Sequence, residues 1–210
     1  MNSVIEPAST GRSKCRGCGN AIAKGQLRFG DSVPNPYAEG ETLVWFHLRC
    51  AACMRPEQLL PVLEAYSPVP DDVDSLKQLA EFGVKFPRVA RLARAERAAS
   101  GRAHCRVCRE AMEKGRFRLA LQVFEDGRMN AMGSIHLECA EAYFGTADIL
   151  DRIARLTPDL DEAALAEIQA ALKEQRPAPP ASDAEPDSEA PGLAKTAADA
   201  SESDAQKKQA

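Results

Sequence analysis

The sequence predicts an α+β chain of two tandem metal-stabilised modules. Each module is a small antiparallel sheet with a metal knuckle and a short helical lobe, and a disordered C-terminal tail follows the second. Three observations predict this. The phrase GRSKCRGCGNAIAKGQLRFG at 11–30 returns as GRAHCRVCREAMEKGRFRLA at 101–120. After each copy, short strand-like runs give way to helix-spaced leucines and isoleucines. Beyond residue 176 the chain becomes rich in Pro, Ala, Ser, Asp and Glu. The boundaries this gives are 3–90 for the first module, 93–175 for the second and 177–210 for an acidic tail.

The repeat extends past the opening phrase. Cys15/Cys18 match Cys105/Cys108 ninety residues on, WFHLRCA (45–51) matches SIHLECA (134–140), and PDDVDSLKQL (70–79) resembles PDLDEAALAEI (158–168). A self-similar unit of this length is a folding module rather than an isolated knuckle. Modules this small rarely stabilise themselves by burial alone and use disulfides or a metal instead. The chain has 210 residues and seven cysteines. Its opening MNSVIEPAST lacks the apolar core of a secretory signal, and no run has the length of a membrane span. The expected setting is intracellular and reducing, away from membranes, where Cys-x-x-Cys pairs bind metal.

Within each module the front half predicts strands at QLRFG and TLVWFH, and then at RFRLALQVF and GSIHL. The back halves predict helices. Leu59, Leu60 and Leu63, then Val73, Leu76, Leu79 and Ala80, hold helical spacing, as do Ile149, Ile153, Leu156, Leu160, Leu165, Ile168 and Leu172 in the second copy. Thr157 before Pro158 reads as an N-cap and first-turn proline. In KFPRVARLARAERAASGR (85–102), Arg88, Arg91, Arg94 and Arg97 recur every third residue on one helical stripe. That stripe suits either a solvated helix or a linker tracking phosphate. The tail holds one large aliphatic residue, Leu193, too little to offset its ordering entropy.

The formal net charge of −4 conceals segregation. Residues 11–55 carry seven Lys/Arg against three Asp/Glu, and residues 85–128 carry twelve against five. Both basic blocks coincide with the Cys-x-x-Cys phrases, which points to a polyanionic partner.

Pairing the copies completes each metal set: Cys15, Cys18, His47 and Cys50, then Cys105, Cys108, His136 and Cys139. Three thiolates and one imidazole form a closed tetrahedral zinc site with no position left for substrate. Two structural Zn2+ ions are expected. Cys53 offers the first copy a four-cysteine alternative that the second copy lacks, since Ala142 stands there. Equal modules therefore favour His47 and leave Cys53 spare. His104, beside Cys105, has Lys14 as its counterpart and reads as a surface residue.

With 27–28 residues between its pairs, this pattern resembles the poly(ADP-ribose) polymerase (PARP)-type zinc finger. Ser100-Gly101-Arg102-Ala103 before Cys105, Thr10-Gly11-Arg12 before Cys15, Lys24 to Arg28, and Trp45-Phe46 before His47 carry the resemblance, which covers about residues 3–175. It implies recognition of DNA strand breaks, ends or distorted duplex by structure rather than sequence. It further implies that Arg12, Arg28, Arg102 and Arg118 grip phosphate, and that a loop presses an apolar residue on an exposed base pair. Tyr37 and Phe124 are the candidates for that loop. A nicked, blunt-ended or otherwise distorted DNA duplex would be the partner.

No ADP-ribosyltransferase, ligase or phosphatase signature follows residue 175, so the expectation is a non-enzyme whose chemistry comes from a protein partner. The alternative is a zinc-stabilised adaptor using its acidic helical lobes and tail. A redox sensor built on Cys53 is a third reading. The expected location is intracellular and DNA-associated: the nucleus if eukaryotic, or the cytoplasm and nucleoid if bacterial, towards which the Ala/Arg/Asp bias leans.

Overall fold

Val4–Pro7 form β1, an edge strand that tolerates its terminal proline because it pairs on one side only. In the computed structural model, which describes residues 2–125 and 128–176, β1 opens an antiparallel sheet with β2 (Leu27–Pro34) and β3 (Glu41–His47), in the order β1-β2-β3. Phe29 faces Phe46 across β2 and β3, and neither has any exposed surface. Gly30 faces Trp45, where a Cβ would lie 2.7 Å from the indole. The missing side chain lets the ring lie flat against β2. The expected disordered tail, 177–210, lies outside the described residues.

The strand β3 runs into α1 (Leu48–Met54), which buries every residue except Arg49. A helix buried nearly all round shows no amphipathic period, so the sequence assigns no element here. Packed on it are α2 (Pro56–Ala65) and α3 (Val73–Lys85), through Leu59, Leu63, Leu76 and Ala80. These two match the expected helical lobe.

Residues 85–102 correct the expected arginine stripe. A short 3₁₀ turn, Pro87–Arg91, leads into the strand β4 (Leu92–Arg97). A register shift between Leu92 and Arg94 breaks the alternation of β4, so Leu92, Ala95 and Ala98 are buried at every third residue. That spacing imitates a helix. Pairing with β5 (Phe117–Glu125), itself paired with β6 (Arg128–His136), overrides the weak strand preference of Ala and Arg.

The second lobe consists of α4 (Ala140–Phe144), α5 (Leu150–Leu156) and α6 (Glu162–Lys173). The cap expected at Thr157 is also corrected. The helix α6 begins at Glu162, and Asp161 caps it by accepting from the Ala164 N–H at 2.8 Å. Thr157 is buried and otherwise engaged: its Oγ1 accepts from the Ala95 N–H of β4 at 3.0 Å.

Arginines make several of the contacts that join the repeats. From α5, Arg152 enters the first lobe, where it donates to the carbonyls of Cys53 (2.9 Å) and Leu79 and lies 5.1 Å from the centre of the Phe82 ring. Arg55, at the junction of α1 and α2, binds the buried Asp31 at 2.6 Å and covers the Phe124 ring of β5 at 4.8 Å. Arg128, opening β6, donates to the Pro36 carbonyl at 3.4 Å and lies 5.1 Å from the centre of the Tyr37 ring. The core is one cluster running through both repeats.

Candidate metal centres and nucleic-acid interface

Each knuckle is a tight turn clamped between two backbone hydrogen bonds. In the first, the Cys15 N–H donates to Asn20 and the Gly19 N–H donates to the Cys15 carbonyl. In the second, Cys105, Glu110 and Arg109 repeat the arrangement. The turn needs a left-handed residue after its second cysteine. Gly19 supplies it at φ 77°, and Arg109 does so at φ 65° against the side-chain preference. The other two donors come from the end of the sheet: His47 closes β3 and Cys50 sits in the first turn of α1. His136 closes β6, and Cys139 ends the 3₁₀ turn Leu137–Cys139.

The ligand atoms of Cys15, Cys18, His47 and Cys50 lie within 4.8 Å of one another, and so do those of Cys105, Cys108, His136 and Cys139. A zinc–sulfur bond of about 2.3 Å sets tetrahedral sulfurs about 3.8 Å apart. His47 Nδ1 stands 3.4 Å from the Cys18 sulfur and 3.9 Å from that of Cys50, while His136 Nδ1 is 3.3 Å from the Cys108 sulfur. Both sets therefore fit a structural zinc ion. Cys53 belongs to neither and is wholly buried in α1. His104 is exposed and pairs by backbone with Ala111, just as Lys14 does with Ala21.

The clusters favour thiolate. The Cys50 thiol, donating to Cys15, pulls the latter down to about 5 against the opposing effect of burial. The His47 and Gly17 N–H groups, each 3.3 Å from the Cys15 sulfur, add to this. In the second site the Cys139 thiol pulls Cys105 down to about 4, with Val107 and His136 N–H groups at 3.4 Å. Cys50 and Cys139, as the donors, are pushed up. Burial also pushes up Cys53, which leaves it a thiol with no path to an oxidant and gives the redox-sensor reading no support.

The residues that the resemblance gives to DNA divide into two groups. Arg12 and Arg102 are exposed at equivalent places before the knuckles. Tyr37 is 87% exposed at the turn between β2 and β3. The others are engaged within the fold. Arg28 is buried, donates to Glu6 (2.5 Å) and Ser13 (2.7 Å), and stacks 3.5 Å from the Trp45 ring. Arg118 donates twice to Glu96, at 2.6 and 3.1 Å. Phe124 is half-buried beneath Arg55. Arg28 thus braces the loop beside Arg12 rather than standing open to a ligand. Arg55, Arg128 and Arg152 are absent from the sequence reading. None has a counterpart in the repeat, so repeat matching carries no sign of them.

Residues 6–83 match the family described as the poly(ADP-ribose) polymerase and DNA-ligase Zn-finger region. The chain is 28% identical to Poly [ADP-ribose] polymerase 1 of Oryza sativa subsp. japonica over 146 residues, covering 64% of this chain and 14% of that protein. It is 27% identical to Poly [ADP-ribose] polymerase of Drosophila melanogaster over 154 residues, covering 65% and 16%. With Poly [ADP-ribose] polymerase 1 of Gallus gallus it shares 26% identity over 129 residues, covering 55% and 13%. The chain thus spans only about a seventh of these relatives.

Proposed function

We propose that this chain, a tandem PARP-type zinc-finger protein, binds DNA and recognises strand breaks, ends or distorted duplex by structure. One observation carries the reading: two equivalent zinc knuckles each present an exposed arginine, Arg12 and Arg102, beside a sheet whose tip exposes Tyr37. Guanidinium groups suit phosphate, and phosphate contacts position a protein without reading sequence. An exposed aromatic can stack on a base of any identity where the helix is interrupted. Arg28 and Arg118 act here as braces, and Phe124 as packing.

Zinc holds the shape. With four protein ligands each, the sites have no position for substrate, so the protein binds the lesion and a partner supplies chemistry. The setting is DNA-associated within the cell. Competition between nicked and covalently closed plasmid for zinc-loaded protein tests the reading. Nicked DNA should win by at least about tenfold, with affinity falling steeply as salt rises. Equal competition refutes break recognition.

A further inference from the structure

We infer that the seam where α5 meets the first repeat is a docking groove for a protein partner. Its occupant is an extended peptide with one acidic residue between apolar ones and basic residues at its flanks. This groove is independent of the proposed DNA binding. The helix α5 of the second repeat reaches the first knuckle, where a Cβ on Gly17 would lie 3.4 Å from the Leu156 side chain. Two hollows open along this seam, of about 690 and 660 Å³. Both have Arg49 of α1, Arg155 of α5 and Pro158 in their walls, so they join end to end with the two arginines at the junction. Each hollow alone has the size that holds one small ligand, about 300–1,000 Å³. Joined, they suit an extended chain.

Each part of the groove selects one property of its occupant. Pro68, Val69 and Pro70 wall the first hollow, and Val69 keeps 64% of its surface exposed. Leu79, Phe82 and Ala154 line the second, each half-buried. Both hollows therefore take apolar side chains. At the junction Arg155 is exposed and has no ion-pair partner among the described residues, while Arg49 meets Asp72 at 3.9 Å. Two guanidinium groups suit a carboxylate. Asp71 and Asp72 rim the first hollow, and Asp148 and Asp151 rim the second, all four exposed. This rim repels a polyanion such as a nucleic-acid backbone and attracts basic residues on either side of the peptide's acid. The second repeat reverses the key charge. Glu138 stands where the first repeat has Arg49, and it is taken up by Arg116 at 3.0 Å.

The test uses the full, zinc-loaded chain and fluorescein-labelled peptide pools, read by anisotropy. In the first pool a central Glu is flanked by Leu, Val or Phe and then by Lys. A second pool has Gln in place of Glu, and a third has Glu in place of Lys. The first should bind at least about tenfold more tightly than either of the others. Arg49→Ala and Arg155→Ala should each cost the first pool about tenfold and leave the second unchanged, a pattern that loss of the fold would not give. Arg155→Glu should reverse the preference, favouring a pool with Lys at the central position. Because Cys18 and His47 also wall the first hollow, the seated first pool should slow chelator removal of one zinc ion of the two.

Saturable binding of no pool, equal binding of the Glu and Gln pools, or unchanged binding by Arg155→Ala overturns the groove. So does a loss of duplex binding by Arg155→Ala with no loss of peptide binding, which would give the seam to nucleic acid. Equal protection of both zinc ions, or of neither, would place the peptide elsewhere. Equal competition between nicked and closed plasmid would overturn break recognition and leave the groove standing.

Discussion

Arg152 does the most unusual work of any single side chain. It is 2% exposed and is held by backbone carbonyls and the face of Phe82, and burial pulls its pKa down from the ordinary arginine value. A buried charge is retained only where its donors are satisfied, and here the acceptors are the Cys53 and Leu79 carbonyls of the other repeat. Removing it strands those acceptors and opens a cavity between the lobes. Arg152→Ala should therefore lower unfolding free energy by about 3 kcal/mol. The drop would be read from the denaturation midpoint, with zinc content unchanged. A loss below about 0.5 kcal/mol, the size of an ordinary surface substitution, would show that the lobes do not depend on it.

At the scale of elements, each sheet is tied to its lobe by a few polar contacts as well as by apolar packing. Thr157, at the end of α5, accepts the Ala95 N–H of β4 in a fully buried place. Thr157→Val preserves shape but orphans that N–H, which should cost about 1–3 kcal/mol; faster hydrogen exchange at Ala95 than at its strand neighbours would check it. The same contact explains where sequence reading stops. Repeat matching exposed the metal sets because ligand chemistry fixes residue type and spacing. Leucine spacing exposed α2, α3, α5 and α6 because their buried faces are periodic. What it could not expose was set by the other elements. The helix α1 is buried all round, β4 is bent by a bulge into a three-residue rhythm, and Thr157 serves a strand more than sixty residues away. The engaged states of Arg28 and Arg118 were hidden likewise, since β1 and β4 supply Glu6 and Glu96 across the sheet.

At the scale of the whole molecule, the proposed DNA binding requires two knuckles to act on one polymer. A shared core and the buried Arg152 hold the repeats together, so Arg12 and Arg102 present a fixed pair of charges. Each phosphate contact releases counterions, and its removal lowers the slope of log affinity against log salt by about 1. Arg12→Ala and Arg102→Ala should each show that loss, and the double variant should lose about 2. The weakening should be the same for every sequence tested, since phosphate carries no base information. Neither residue has a side-chain partner among the described residues, so folding and zinc content should hold. Titrations at several salt concentrations with two unrelated duplexes decide the matter. Were both duplexes to bind the double variant with an unchanged slope, the knuckle arginines would not face DNA, and the interface would have to lie on another surface of the fold.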